Sequence, residues 1–411
     1  MRKYRLIIAA VLWLNKTENV AQQVIQTESP AKITPREINV ASSSIFDLMG
    51  VSSSQISKTS DVKDLKVDWS FKSWRLNPNI AIQGQPVWEI VYNRSDLSKY
   101  RSAGYFMRTL ASMDISAGTV QSENDDRRIG GAVRINLYRQ YDAMRSEVYY
   151  KDIEEKYNTQ FSDWQSRMSD LKTALDTTTD VGKRSELRMQ MSLLESEATL
   201  IYQSRKNEII NRATEFNADN WNSSFLDVAA GKIWTYITDS AGTLKSVRIN
   251  RNSGWAVWTN AGYGIGRKLL VTGLFRVSFY EEQLSFLIRD LNTFNEITAT
   301  SLVSNQIYSY GINIRYGTPS INFFTEVLLE NRHLKTVKDA LKESDFIGEG
   351  NFEVIEGTLK WTALSPYTIS FGGEWRISRN LLLNFGMRME YEKNWKRKTF
   401  QPIAGISCLM R

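Results

Sequence analysis

The stretch GGEWRISRNLLLNFGMRMEYE, residues 372–392, decides the fold because apolar side chains fall on every second position. On both sides of the polar segment SRN, this face is formed by Phe371, Gly373, Trp375, Ile377, Leu381, Leu383, Phe385, Met387, Met389 and Tyr391. Successive side chains of a strand point to opposite faces, so the pattern predicts two strands joined by a tight antiparallel turn. The apolar face either covers a soluble core, or it faces lipid while the other face lines a barrel.

The same alternation recurs along the chain and predicts about twelve strands. It is clear over 65–71, 255–265, 269–279, 308–316 and 321–330, and we also assign a strand to the alternating residues Trp88, Ile90 and Tyr92. Most of these runs hold roughly 10 to 15 residues, whereas ordinary globular strands average nearer five or six. Transmembrane strands need about 9 to 11 residues, so the length of the runs favours a membrane barrel.

The polar face of the strands carries charges that a barrel would enclose. We expect eight charged side chains to face the lumen: Arg134, Arg276, Arg315, Glu326, Glu374, Arg376, Arg388 and Glu390. They could form the charged constriction of a narrow solute channel. They could equally pair with one another and close the lumen, because arginine and carboxylate groups form strong charge-assisted hydrogen bonds.

The N-terminus has the layout of a secretory signal peptide. The basic start MRKYR precedes an apolar run over 6–14, and a polar stretch follows, so we predict a signal peptide over 1–21. The run is too short to span a bilayer as a helix, and the chain has no other run of 18 apolar residues. Residues 22–64 show weak periodicity and many serines, and are predicted to form a periplasmic N-terminal extension.

The segment 143–222 breaks the strand pattern. Its apolar residues recur at spacings of three and four, which predicts two amphipathic helices folded into a hairpin at the segment DTTTDVGKR. The remainder then divides into strands 1–4 over 65–142 and strands 5–12 over 223–411. The residues expected to offer an apolar stripe to a partner protein are Phe161, Trp164, Met168, Leu171, Leu187 and Leu194.

Strand parity gives an expectation for the side on which the hairpin lies. Very short turns are predicted near Gly266, at 317–320 and at 377–380, whereas the connections at 282–304 and 331–357 are long. Outer-membrane barrels keep short turns on the periplasmic side. Counting strands backwards places the helical hairpin on that same side, although one miscounted strand would reverse the result.

Composition limits the chemistry that the chain can perform. The formal charge of +7 is modest and shows no basic stripe, so no nucleic-acid partner is expected. The single Cys408 excludes an intrachain disulfide, and no cluster of metal ligands is evident, so neither a metal nor a cofactor is expected. An outer-membrane phospholipase would need a Ser–His–Asn set, but the only histidine, His333, falls in a predicted outer loop. We therefore expect no enzymatic activity.

The chain resembles the outer-membrane β-barrels common in Bacteroidota, through the NVAQQ segment after the leader and the hairpin over 372–392. The resemblance implies fold and location: an all-β membrane protein, an antiparallel up-and-down transmembrane barrel of about 12 strands with an inserted α-helical hairpin. The expected location is the outer membrane of a Gram-negative bacterium, with outer-membrane lipid around the barrel. One departure is the ending SCLMR, where many such barrels end on an aromatic residue.

Three functions follow from these patterns. The first is an anchor that docks a periplasmic or envelope protein through residues 143–222. The second is a narrow, porin-like channel in which the hairpin is only a brace. The third is a secreted soluble β-protein.

Overall fold

The computed structural model describes residues 38–63, 65–72, 79–93, 97–121, 127–144, 146–238, 244–246, 252–334, 352–354, 367–391 and 395–410. The predicted signal peptide over 1–21 and residues 22–37 of the predicted extension lie outside these ranges. Over the described ranges, no helix is both long and apolar enough to cross a membrane.

Twelve strands close into an antiparallel barrel, as the alternation predicts. The strands are β1 (Leu65–Lys72), β2 (Asn79–Gly84), β3 (Asp114–Gln121), β4 (Arg127–Arg139), β5 (Phe225–Thr238), β6 (Leu244–Ser246), β7 (Asn252–Ile265), β8 (Leu269–Asp290), β9 (Glu296–Gly317), β10 (Ile321–Leu334), β11 (Phe352–Val354), β12 (Tyr367–Arg376), β13 (Leu381–Tyr391) and β14 (Arg397–Met410). The short β6 pairs with the last residues of β5, and the short β11 pairs with the last residues of β8. Each of the other strands pairs with its neighbour along the chain, and β1 pairs with β14 to close the cylinder.

The barrel wall is apolar outside and polar inside. On β9, Ile312 is 56% exposed, whereas its neighbour Asn313 is 1% exposed. The same contrast separates exposed Phe385 and Met387 on β13 from buried Arg388. Because β-strand side chains alternate, one sequence presents a continuous apolar band to the surroundings and a polar face to the lumen. The chain is therefore a transmembrane β-barrel.

One end of the barrel carries the three turns that the sequence predicts to be very short, at 266–268, 318–320 and 377–380. We call it the tight-turn end. Strand pairing puts the start of β1 and the end of β14 at this end too, because Leu65 pairs with Met410. The connections from β2 to β3 and from β4 to β5 also lie there, since every neighbouring pair of strands is antiparallel.

Over the described ranges, six helices accompany the strands: α1 (Ser44–Met49), α2 (Pro86–Tyr92), α3 (Leu97–Ser102), α4 (Tyr105–Leu110), α5 (Glu147–Thr177) and α6 (Val181–Asp219). The helices α5 and α6 form the inserted hairpin that the spacing of apolar residues predicts. The loop before α6 is stabilised by Asp180, whose side chain accepts hydrogen bonds from the backbone of Gly182 and Lys183.

The strand predicted at Trp88, Ile90 and Tyr92 is wrong, because residues 86–92 form α2 and β2 lies earlier, at 79–84. Trp88 and Tyr92 are buried on one face of α2, and Ile90 is exposed. Residues at i and i+4 share a face in a helix and in a strand alike, so three apolar residues do not distinguish the two. Pro86 at the first helical turn favours the helix.

The connection predicted at 282–304 is shorter than expected, and most of the one predicted at 331–357 lies outside the described residues. The strands β8 and β9 continue as a paired ribbon to Arg289 and Glu296, and β10 continues to Leu334. His333 therefore lies on a strand, opposite Gln306, and not in an outer loop.

The hydrophobic core lies inside the barrel. Residues Ile45, Phe46, Met49, Val51 and Ile56 pack against wall residues from seven strands: Ala81, Val120, Ala132, Ala229, Ile233, Ala256, Trp258, Leu274 and Leu328. Residues 38–63, which we call the plug, therefore fill the lumen and do not extend away from the barrel as the sequence suggested.

Candidate functional site: the plugged lumen and the helical hairpin

The plug enters and leaves the lumen at the tight-turn end. At its start, Arg376 donates to the carbonyl of Ile38 (3.0 Å), and the side chain of Asn39 donates to the carbonyl of Trp221 (2.7 Å). At its end, the backbone N–H of Asp61 donates to the carbonyl of Asn39 (2.7 Å). The plug is thus a loop with both ends at one mouth, directly before β1.

Glycines in the wall make room for the plug helix α1. A Cβ atom on Gly130 would lie 2.7 Å from Ile45 and 2.9 Å from Met49, and one on Gly231 would lie 2.8 Å from Leu48. A larger residue at either position would force the ends of these α1 side chains to shift, and at Gly130 its Cβ would also lie 2.7 Å from the carbonyl oxygen of Lys232. Gly130 and Gly231 therefore let α1 lie close against the wall.

Glu326 holds the turn that follows α1. Its carboxylate accepts hydrogen bonds from the hydroxyl of Ser54 (2.7 Å) and from the backbone N–H groups of Gln55 (3.0 Å) and Ile56 (2.9 Å). Asn313 on the neighbouring strand donates to the same carboxylate (3.1 Å). A buried carboxylate is stable only with such donors, so this charge specifies where the plug must lie.

Glu374 forms the second buried anchor. It makes ion pairs with Lys58 of the plug and with Arg315 of the wall, and Asn322 donates to it (3.3 Å). The carboxylate of Glu374 thus pairs with the positive charges of both Lys58 and Arg315. Removing it would leave two buried cations unpaired, which is costly in a low-dielectric interior.

Two arginines bind carbonyl groups of the plug. Arg388 donates to the carbonyls of Gly50 and Ser52 (both 2.8 Å), where Gly50 has a left-handed backbone (φ 70°). Arg276 donates to the carbonyls of Asp47 and Gln55 (both 3.4 Å). These side chains satisfy backbone groups that the turns of the plug leave without partners.

Among the remaining predicted lumen charges, Arg376 contacts the plug at its entrance and the others make the following contacts with the wall. Arg134 on β4 is buried and pairs with Asp114 on the neighbouring strand β3 (2.8 Å). Arg315 acts through Glu374, and Glu390 is half-buried and accepts from Thr399 (2.8 Å). The structure therefore places six of the eight predicted side chains in the buried lumen, and Arg376 and Glu390 near its rims.

Sequence reasoning missed the plug residues that these charges hold. Asp47 accepts hydrogen bonds from Ser42 (2.6 Å) and Ser52 (2.7 Å), and Asp68 of β1 accepts one from the backbone of Ser43 (2.8 Å). Serines clustered around buried acidic residues were the available signal. Ser42 and Ser52 lie only five residues from Asp47, whereas Ser43 lies 25 residues from Asp68, too far along the chain for a local pattern to reveal that contact.

The predicted docking residues of the hairpin lie in the seam between α5 and α6. Trp164 stacks on Phe161 (ring centroids 5.1 Å apart), and its indole N–H donates to the carbonyl of Leu194 (2.7 Å). Met168 and Leu194 are buried, and Leu171 and Leu187 are half-buried. These six side chains therefore stabilise the hairpin itself.

A different apolar stripe is exposed on the outer face of α6. Met189, Leu193 and Leu200 are 66%, 62% and 63% exposed. Their spacing of four and seven residues places them on one face of the helix, opposite the seam residues Leu187 and Leu194. The pattern of spacing alone did not separate this stripe from the seam.

The base of the hairpin is joined to the barrel by short contacts. The indole of Trp221 donates to the carbonyl of Arg267 (3.0 Å), and Asn222 donates to the carbonyls of Gly266 (2.9 Å) and Leu269 (2.8 Å). The hairpin therefore leaves from the tight-turn end, as the count of strands predicted.

An ionic contact closes the seam near the base. Lys156 and Tyr157 donate to the carboxylate of Glu208 (2.8 and 2.9 Å). The hydrogen bond from Lys156, with a further one from Tyr157, holds the pKa of Glu208 below its ordinary value. Burial raises the pKa of the Tyr157 hydroxyl.

No metal site is evident among the described residues. Within these ranges, no three His, Cys, Asp or Glu side chains are grouped so that they could hold a metal ion. His333 contacts the ring of Tyr308 edge-on (5.5 Å) at the end of the barrel opposite the tight turns.

The chain matches no protein-family model and no curated protein. Among solved structures, it is similar over 84% of its length to the NanC porin (99% of that chain, 8% identity, TM-score 0.30). It is also similar over 84% to the β-domain of the Bordetella autotransporter BrkA (98% of that chain, 6% identity, TM-score 0.31). A third similarity covers 85% and is to the toluene transporter TbuX of Ralstonia pickettii (90% of that chain, 6% identity, TM-score 0.28). Because these scores are low, the barrel assignment rests on the strand pairing and exposure described above.

Proposed function

We propose that this protein is an outer-membrane barrel, closed by its own plug, that anchors an envelope partner through its helical hairpin. The filled lumen supports this role most directly, because residues 38–63 pack against the wall across the barrel. A closed barrel offers no open route for a solute, so its function is sought in the parts that leave the membrane.

The outer membrane is proposed from general rules of barrel architecture. Closed antiparallel barrels with an apolar exterior and short turns at one end are the form that spans bacterial outer membranes. In those barrels the short turns face the periplasm, which puts the hairpin in the periplasm. At about 1.5 Å per residue, the 39 residues of α6 reach about 58 Å from the barrel, far enough to meet another envelope protein.

The docking surface proposed is the stripe of Met189, Leu193 and Leu200, in place of the seam residues expected from the sequence. Exposed leucines and methionine in one row are unfavourable in water and fit the apolar face of a partner helix. A protein partner of this kind would bury the stripe and leave the seam unchanged.

A paired set of variants tests the docking role. Leu193→Ser combined with Leu200→Ser is expected to abolish a photo-crosslink formed in intact cells from a benzophenone residue placed at Met189. The control, Gln190→Ser combined with Gln203→Ser, changes exposed residues on the same helix and is expected to leave the crosslink intact. Docking through this stripe would be ruled out by equal crosslinking in both variants. It would also be ruled out by the absence of a crosslink in the protein that carries only the benzophenone residue.

The alternative of a narrow channel makes a different prediction. A channel would conduct in planar bilayers with the plug in place, whereas a closed anchor would not. Deletion of residues 150–215 should leave that result unchanged in either case, because the hairpin lies outside the lumen.

A further inference from the structure

We propose that helices α2–α4, which we call the collar, bind the surface of the bilayer at the tight-turn end. In this arrangement α4 inserts Tyr105 and Phe106 among lipid headgroups, and the collar orients the base of the hairpin relative to the membrane. The ligand is the lipid interface itself. The inference uses the placement of the barrel in a membrane and does not depend on a partner for the hairpin.

The first observation is the exposure of large apolar side chains on α4. Phe106 is 71% exposed and Tyr105 is 64% exposed, and the adjacent Met107 is also exposed. Thr109 on the same short helix is buried, so α4 has an inner and an outer face. Consecutive exposed aromatic residues on one helix are typical of segments that lie in a membrane interface.

The second observation is that α4 continues the lipid-facing wall. The strand β3 begins at Asp114, opposite Arg134, so the last residues of β4 extend past the start of β3. The residues in and around α4 lie beside these last residues of β4, where β3 has not yet begun. Tyr105 donates to the carbonyl of Leu137 (2.7 Å), and Ser112 exchanges hydrogen bonds with the backbone of Asn136 (3.1 and 3.2 Å).

The third observation is the position of other exposed aromatic residues at the same end. Tyr263, Tyr316 and Trp375 lie at the ends of β7, β9 and β12 next to the short turns, and all three are exposed. Aromatic residues form girdles at the interfaces of membrane barrels. The strands β2 and β3 are only six and eight residues long, and α4 supplies the aromatic side chains in their sector.

A buried aromatic cluster holds the collar together. Trp88, Tyr92 and Tyr100 form a buried aromatic cluster with centroid distances of 5.4–5.6 Å, and Ala111 and Met144 complete it. Aromatic pairs of this geometry add stability beyond the burial of their area. The cluster therefore joins α2 and α3 to Ala111, which directly follows α4, and to Met144, which precedes the hairpin.

The collar also contacts the hairpin. Arg101 of α3 pairs with Glu154 of α5 (3.1 Å) and reaches the carbonyl of Ser146 (3.5 Å) just before that helix begins. The ion pair is partly exposed and contributes little to stability by itself. Together with the aromatic cluster, it defines the direction in which α5 leaves the collar.

The test measures the depth of α4 in the bilayer by fluorescence quenching. The full chain carries Cys408→Ser and Phe106→Cys, is labelled with NBD, and is reconstituted in phosphatidylcholine nanodiscs. Doxyl groups are placed either near the lipid headgroup or near the end of the acyl chain. Ile312→Cys in the middle of the wall and Leu193→Cys on the hairpin serve as controls.

We expect the label at position 106 to be quenched most by the shallow doxyl group. The label at 312 should be quenched most by the deep group, and the label at 193 by neither. If position 106 is as unquenched as position 193, the proposal is overturned.

A second measurement tests the orientation of the hairpin. Spin labels at Val181 and Tyr263, both exposed, report the distance from the start of α6 to the barrel wall. Tyr105→Ser combined with Phe106→Ser should broaden this distance distribution in nanodiscs, because α4 then loses its hold on the interface. An unchanged distribution would exclude the orienting role, whether or not any protein binds the outer stripe of α6.

Discussion

At the scale of single residues, the molecule depends on buried charges that are each held by several donors. Glu326 and Glu374 lie inside the barrel, and both contact residues far from them in sequence. A sequence pattern identified the two carboxylates as lumen-facing, because their neighbours on the strands alternate with apolar residues. It did not identify their partners, since Ser54 and Lys58 belong to a segment without periodicity.

Glu326 provides the first prediction. Hydrogen bonds to a charged group contribute about 1.5–3 kcal/mol each, so Glu326→Ala should release the turn around Ser54 while the wall pairing persists. Hydrogen exchange followed by mass spectrometry should show faster exchange over residues 50–58. The matched control is Glu296→Ala, an exposed carboxylate paired with Arg289. Faster exchange throughout the barrel, or none over 50–58, would contradict this role.

Glu208 provides a prediction for pH dependence. Its pKa is lower in the folded hairpin than in the unfolded chain, so its contribution to stability is complete above the unfolded value, about pH 4. That contribution is lost as the pH falls through the folded pKa. Acidification should therefore accelerate proteolysis near the base of the hairpin. In Glu208→Gln, proteolysis there should respond less to acid, and an unchanged acid response would refute the assignment.

At the scale of elements, the two hairpin helices and most strands follow from periodicity, whereas β2, the short helices α1–α4 and the plug do not. The twelve strands alternate over many residues, and the hairpin repeats its apolar positions over several turns, so each pattern identifies one type of element. The helix α2 holds too few apolar residues for a helical period to be distinguished from the period of a strand. The plug has only weak periodicity, because many of its polar groups find partners on wall strands from distant parts of the chain.

The seam of the hairpin yields a prediction about stability. Trp164→Ala removes both the stacking on Phe161 and the hydrogen bond to Leu194, which should destabilise the hairpin by about 2–3 kcal/mol for a half-buried tryptophan. Leu193→Ala on the exposed face should change stability by less than about 0.5 kcal/mol. Limited proteolysis of the reconstituted protein would compare the two. Similar cleavage rates would show that the seam residues do not hold the helices together.

At the scale of the whole molecule, the barrel and the plug form one structure with a shared interior. A barrel of 12 strands is wider than one that wall side chains alone fill, and here a segment of the chain occupies the additional space. The size of the barrel could be predicted from the strand count. Whether its lumen was open could not, because that depends on where residues 38–63 lie.

The plug leads to a prediction about conductance. The intact protein should show no steady current in planar lipid bilayers. Replacing residues 44–58 by a glycine–serine linker of equal length should produce stepwise currents, because the charged wall then borders water. As a control, the deletion of 150–215 should remain silent. Currents from the intact protein, or silence after replacement of the plug, would contradict the closed state.

The position of both plug ends at one mouth has a consequence for assembly. The plug is not threaded through the barrel from end to end. It can therefore enter after β1 and β14 have paired, and it can withdraw again without breaking that pairing. Closure of the barrel wall and insertion of the plug are therefore separable events. A pulling force on the residues that precede Ile38 would withdraw the plug and leave the wall closed.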